Sequence, residues 1–222
     1  MLTEPNKAAR VAYCLGNVQD NCFSSMFNRV DIDEKWFYLY QVNMNYILVP
    51  GEKPPHRVCQ HMSHIPKAMC LTAVARLRPN PVTEDWWDGK LGTWFFVEQV
   101  PAVRSSCNRP AGTIETCTVN VTKATSEEMY INKLLPAIMG KWPAWEARVI
   151  RIQLDNAPMH PQPGRLGERL TQDVVQLRDN AGWDIDFLAQ PANSPDTNML
   201  DLAFFMRSSR CNIKNQRRTS IS

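Results

Sequence analysis

Three aspartates stand where a carboxylate can do chemistry: Asp33 within the run VDIDEKWFYL, Asp155 at the end of VIRIQL, and Asp201 near the start of LDLAFF. Ligand sites in open α/β sheets gather at the carboxyl ends of strands. If the strands bearing Asp33 and Asp155 are neighbours, those two acids meet, and a helix beginning nearby adds Asp201 as a third. Clustered carboxylates repel, and each then favours its protonated form. A divalent cation removes that conflict, and aspartate oxygens suit Mg²⁺ or Mn²⁺. Two such ions about 4 Å apart activate a water or a 3′-hydroxyl and stabilise the leaving oxygen of a phosphodiester. Each acid also has a structural reading. Asp155-Asn156-Ala157-Pro158 is a strand-to-turn signal. Asp201 suits the first turn of a helix, facing the dipole. Asp33, followed by Glu34 and Lys35, can be an exposed strand end. Residue type and spacing leave both readings open.

Other side chains carry weaker signals. His56, Cys59, His61 and His64 lie close in sequence, and Cys and His bind zinc, but their spacing matches no standard finger. His160 follows the Asp155 block and reads either as a neighbour of a bound metal or as a loop histidine. Trp36 and Trp94 fall in apparent strands and read as core. Trp86 and Trp87 sit in a polar stretch, where stacking on single-stranded DNA competes with loop packing.

The elements that must position these residues follow from patterning. NKAARVAYCLG is a short amphipathic helix within a looser stretch up to residue 28. VDIDEKWFYLYQ mixes alternation with aromatic and β-branched residues and predicts a strand. MNYILVPG predicts a second strand stopped by Pro50-Gly51, and KAMCLTAVARLRP a third, apolar enough to be central. WWDGKLGTWFFVEQV suits a further hairpin, and SSCNRPAGTIET a loop. Thr125 to Glu128 carries a capping-box pattern ahead of a helix to about Gly140, with Pro136 as a kink. ARVIRIQL is a buried strand ending at Asp155. A helix over 165–180 with Leu166, Leu170, Val174 and Leu177 on one stripe stops at Gly182. WDIDFLAQP alternates as a half-buried strand, and NSPDTNMLDLAFFM is a turn and then a helix. The order is β-β-β-α-β-α-β-α, an α/β domain with a mixed sheet.

Composition fits this class. The chain has 222 residues, 44% hydrophobic and 21% charged, which suits a globular domain rather than a disordered one. Its net charge of +3 is uneven: five basic residues between 206 and 222 leave the rest at −2. Any basic footprint for nucleic acid is therefore local. Seven scattered cysteines without a Cys-x-x-Cys pattern point to free thiols in a reducing compartment. The N-terminus lacks a signal-peptide pattern. The uncharged run WFYLYQVNMNYILVPG holds too many amides to cross a membrane.

DIDEKWFYL, IQLDNAPMH and QPANSPDTNMLDLAFF resemble, in this order, the three catalytic blocks of Tc1/mariner-type transposases, in the mariner-like branch of plants and water moulds. LTEPNKAARVAYC, DGKLGTWFFVEQVPAVRSSCNRPAGT and LLPAIMGKWP are similar to that family's linking blocks, so the resemblance runs from Leu2 to about Phe205. It implies an RNase H-like fold over 29–205, a mixed sheet flanked by helices. It implies a metal-dependent nuclease and strand transferase in which Asp33, Asp155 and Asp201 hold Mg²⁺ or Mn²⁺, with Asp196 as the rival third acid. The implied partners are DNA, both transposon ends and target, and a second copy in a homodimer; the implied compartment is the nucleus. Residues 1–28 would then be a linker remnant after a missing helix-turn-helix region, and 206–222 a basic, disordered tail. The 45 residues from 156 to 200 exceed the family's usual spacing. These departures support a second expectation, an inactive remnant that keeps the fold with at most weak nucleic-acid binding.

Overall fold

The computed structural model describes residues 2–38, 49, 51–53, 67–106, 109–157, 160 and 166–204. The strand expected over MNYILVPG, the His56–His64 cluster and the basic tail lie outside these residues. The chain divides into two units: residues 1–33, 71–94 and 121–222 form the first, and 34–70 with 95–120 the second.

In chain order the elements begin with α1 (Glu4–Gly16), β1 (Val18–Gln19), β2 (Cys22–Phe23), β3 (Arg29–Tyr38), β4 (Lys67–Ala75), β5 (Arg78–Pro79), β6 (Trp86–Trp87), β7 (Lys90–Phe95), β8 (Val97–Pro101) and β9 (Ile114–Thr118). Then come α2 (Lys123–Met129), α3 (Leu135–Lys141), β10 (Val149–Leu154), α4 (Glu168–Ala181) and β11 (Asp184–Ala189), with short helical turns at Pro195–Thr197 and Leu200–Phe204. Five strands make one sheet in the order β11-β10-β3-β4-β7. β10 runs parallel to both β11 and β3. β7 runs antiparallel to β4, since Ala75 donates to Gly89 O at 2.8 Å while Thr72 and Thr93 hydroxyls meet at 3.2 Å. The expected mixed sheet with flanking helices is therefore present.

The first unit holds the core. Val30, Asp31 and Ile32 of β3 are buried in succession, as are Ile152, Gln153 and Leu154 of β10, so this part of the sheet is covered on both faces. β11 alternates as expected, with Ile185 and Phe187 inward. Phe187 stacks on Tyr130 at 6.1 Å between ring centroids. α4 turns Leu170 and Val174 inward and ends at Gly182, whose φ of 67° caps the helix.

Several local expectations need correction. The capping box lies three residues earlier than expected: Thr122 Oγ1 accepts from Thr125 N, and Thr125 Oγ1 accepts from Thr122 N. A threonine hydroxyl fills the role expected of a glutamate. Pro136, expected as a kink, is accommodated by a change in the helix itself. The turn before it, Tyr130–Leu134, widens so that Leu135 N donates to Tyr130 O, five residues back. That relieves the clash a proline ring makes with the carbonyl four residues earlier. The stretch expected as a hairpin splits among three partners: β6 pairs with β5, β7 joins the large sheet, and β8 pairs with β9. The break between β6 and β7 needs Gly89, which has φ +72° and whose Cβ would lie 2.0 Å from Ala75 O. β9 also occupies part of the expected SSCNRPAGTIET loop.

Arg78 fastens this region. Its guanidinium is buried, lies 4.8–5.0 Å from the rings of Phe27, Trp87 and Trp142, and pairs with Glu146 Oε1 at 3.1 Å. Trp87 is thus a packing residue. Burial pushes the arginine pKa down, and Glu146 opposes that shift.

The second unit contains the outer parts of β3 and β4 and the antiparallel β8–β9 pair, in register from Val97↔Thr118 to Pro101↔Ile114. Phe37 meets Phe95 edge-on at 6.3 Å. Trp36, expected in the core, is exposed and lies beneath the Lys67 ammonium at 4.3 Å. Trp94 is half-buried. Among the described residues Cys14, Cys22, Cys70 and Cys117 are free thiols, and no helix is long and apolar enough to cross a membrane.

Two measurements test this packing. Glu146→Ala strips a buried cation of its counter-charge and is expected to lower the unfolding free energy by about 2–3 kcal/mol. Unchanged urea denaturation would refute the role given to the pair. Asp31 is buried beside Arg29, and burial raises its pKa from 3.8 to about 6 against the pull of Arg29. An acid whose folded pKa is raised stabilises the protein below its unfolded pKa, and that contribution is lost as pH rises through about 6. Asp31→Asn should therefore gain on the parent by up to about 3 kcal/mol between pH 4 and 6.5, in chelator. A pH-independent difference would refute it.

Candidate active site

The site begins with a register. In β3 the period of two puts Asp31 and Asp33 on one face, and in β10 it puts Gln153 and Asp155 on one face. Gln153 pairs with Asp31 across the two strands. The ladder ends at that pair: Asp33 lies within β3, and Asp155 is the first residue after β10. The expectation that the two strands concerned are neighbours is met.

Asp201 arrives from the other side. The segment after β11 is tied down by side chains. Asn156 Nδ2 donates to Gln190 O at 2.7 Å, and Gln153 Nε2 donates to Thr197 O at 2.8 Å. Asn198 accepts from Leu200 N at 2.9 Å, and Leu200 is buried against Val74. Asp155 and Asp201 then line one cleft of about 350 Å³, with Asn156, Gln190, Asn193 and Ser194 also in its wall. Asp33 is half-buried and is not part of that wall. Asp196, the rival third acid, is not part of it either, and its Oδ2 pairs with Arg10 at 2.6 Å.

The Asp155 carboxylate is held from one side. Oδ1 accepts from Ala157 N at 2.8 Å and lies 2.7 Å from His160 Nδ1. An ionised carboxylate only accepts, so His160 carries its proton on Nδ1 here. Burial pushes the Asp155 pKa up, but the His160 hydrogen bond, the Ala157 amide and the imidazole charge outweigh it, leaving Asp155 below the ordinary aspartate value. It is thus ionised near neutrality. His160 is buried, and its backbone N donates to Ala157 O at 3.0 Å, which closes the turn. His160 thus belongs to the turn and contacts Asp155 directly.

Beneath the acids runs a polar chain that sequence reasoning missed. Arg29 Nε lies 3.1 Å from Asp31 Oδ1, Arg29 Nη1 donates to Tyr13 OH at 3.1 Å, and Tyr13 OH donates to Gln153 Oε1. A signal was present: each apolar run carries a polar residue two places before its aspartate, on the face expected to be buried.

The donors are of the type that Mg²⁺ or Mn²⁺ takes, and they gather at one end of the sheet. Their convergence is incomplete. Among the described residues no three His, Cys, Asp or Glu side chains stand close enough to share an ion.

No protein-family profile matches the chain, and no curated protein matches it. Solved structures do. The Mos1 mariner paired end complex with Mn matches with a TM-score of 0.55 at 19% identity, covering 95% of this chain and 50% of that one. The pre-cleavage Mos1 transpososome gives 0.55 at 17% identity, with the same coverage of 95% and 50%. The Mos1 transposase catalytic domain with raltegravir and Mg gives 0.51 at 18% identity, over 95% of this chain and 74% of that one. The chain spans about half the length of the Mos1 chains in the two larger complexes. At such identities the likeness is one of backbone architecture, and what it establishes is that this chain has the RNase H-like fold of the Mos1 mariner transposase catalytic domain.

Proposed function

We propose that the chain is the catalytic domain of a mariner-type DNA transposase, cutting DNA at transposon ends and joining a 3′-hydroxyl to target DNA. One observation carries the reading: β3, which bears Asp33, runs parallel beside β10, which ends just before Asp155, and Asp155 lines one cleft with Asp201. Asp33, Asp155 and Asp201 would hold Mg²⁺ or Mn²⁺, which would supply an activated oxygen nucleophile and Lewis-acid stabilisation of the leaving oxygen. His160 and the Ala157 amide occupy Oδ1 of Asp155 and so direct its other oxygen to the cleft. The partners are DNA and a second copy of the chain. The solved Mos1 structures named above contain paired transposon ends, Mn or Mg, and these support the reading by analogy of fold.

A second reading, a remnant that keeps the fold without the chemistry, is favoured by the incomplete convergence of the three acids. One assay separates the two. Mn²⁺-dependent nicking of supercoiled DNA is expected from the parent chain. Asp155→Asn, which preserves shape, should reduce it by more than the about 100-fold that loss of an outer-shell partner produces, with the melting temperature kept. Equal nicking by variant and parent would discard the assignment, and no nicking by the parent at any Mn²⁺ concentration would favour the remnant.

A further inference from the structure

Helix α1 has no buried residue, yet it is bolted beside the cleft at two points. Arg10 donates through Nη1 to Asn193 O at 2.9 Å and through Nη2 to Asp196 Oδ2 at 2.6 Å. Tyr13, three residues on and so on the same helix face, donates to Gln153 Oε1, and Gln153 Nε2 donates to Thr197 O at 2.8 Å. Arg10 thus grips residues 193 and 196 directly, and Tyr13 reaches Thr197 through Gln153. That segment delivers Asp201: Leu202 N donates to Asn198 O at 3.2 Å, so the turn bearing the acid starts where the gripped segment stops.

The segment has little order of its own. Asn193 has φ 54°, Pro195–Thr197 is a single 3₁₀ turn, and Leu200–Phe204 is one wide turn. Helical pieces this short do not hold themselves in water. Burial of Ser194, Asn198 and Leu200 and the bonds from Thr197 N and Oγ1 to Ser194 O hold part of it, and ties from outside the segment add the rest. The Arg10–Asp196 pair is part-exposed, with side chains 25% and 53% accessible, so it adds little to global stability. What it can do is hold a local geometry.

We propose that Arg10 and Tyr13 are positioning residues, and that α1 is a brace which fixes the 193–198 segment and through it sets Asp201 against Asp155. The brace stands on the contacts alone, and its consequence for a metal rests on the function proposed above.

Hydrogen exchange on the metal-free full-length chain tests the brace. Arg10→Ala should speed exchange at Thr197, Asn198 and Leu202 by about tenfold while β10 amides stay as protected as before. Arg10→Lys keeps the charge but loses the fork, and should recover only part of the protection. Asp196→Ala should reproduce part of the loss, because Arg10 still donates to Asn193 O, and the double variant should lose no more than Arg10→Ala. Unchanged exchange in both single variants, or additive effects, would overturn the brace. An Mn²⁺ titration by electron paramagnetic resonance reads the consequence. Affinity should fall several-fold in Arg10→Ala. If Asp201→Asn weakens Mn²⁺ and Arg10→Ala does not, the link from brace to acid is wrong. If Asp201→Asn leaves Mn²⁺ binding unchanged, the ligand assignment fails instead, and exchange alone decides the brace.

Discussion

Parallel strands covered on both faces leave no water for a polar side chain, and Gln153 sits buried near the end of such a strand. A buried amide left without partners costs about 1–3 kcal/mol for each unmet group. Meeting that demand organises the first unit. Its carbonyl takes the Tyr13 hydroxyl from α1, and its amide nitrogen reaches Thr197 O, with Gln190 Oε1 at 3.5 Å. One side chain thus fixes three segments that are far apart in sequence. A leucine here would fill the space and satisfy β10, but would leave the 193–198 segment without its central tie.

Charge is graded along the same face. Asp31 lies deepest, paired with Arg29, so the pair brings little net charge beneath the cleft. Asp155, higher up, is stabilised as an anion by His160 and Ala157. Asp201 is exposed. The anions therefore become more accessible toward the open end, where a cation would meet them on the proposed function. A buried triad would have had to neutralise by protonation instead.

Much of this was legible in the sequence. β3, β10, α4 and β11 follow from apolar patterning, because burial on one or both faces leaves a period that a reader can see. Asp33 was legible as an acid within a strand and Asp155 as one closing a strand, and those two strands are neighbours. Other features were not. The wide turn at Tyr130–Leu134 depends on how Pro136 is relieved, which allows more than one outcome. The fate of β6, β7 and β8 depended on long-range pairing that local alternation does not specify. Trp36 misled because aromatic content marks strands without saying how far a strand extends past its cover. Arg10, Tyr13 and Gln153 were visible as residues, yet their connection exists only in three dimensions.

The third acid differs physically from the first two. Asp33 stands within a strand and Asp155 directly follows one, so a stiff hydrogen-bonded ladder supports both. Asp201 stands on a short turn beyond a segment with no ladder, so its placement is set by side-chain ties from α1, β3 and β10. Enclosing that segment in apolar packing would hold it as well, but it would also narrow the cleft. Polar bolts on the outer side leave the inner side open, which a site that takes a nucleic-acid strand requires. A function read from the acids alone would therefore be incomplete. On the proposed function, elements outside the three aspartates, α1 above all, set where Asp201 stands.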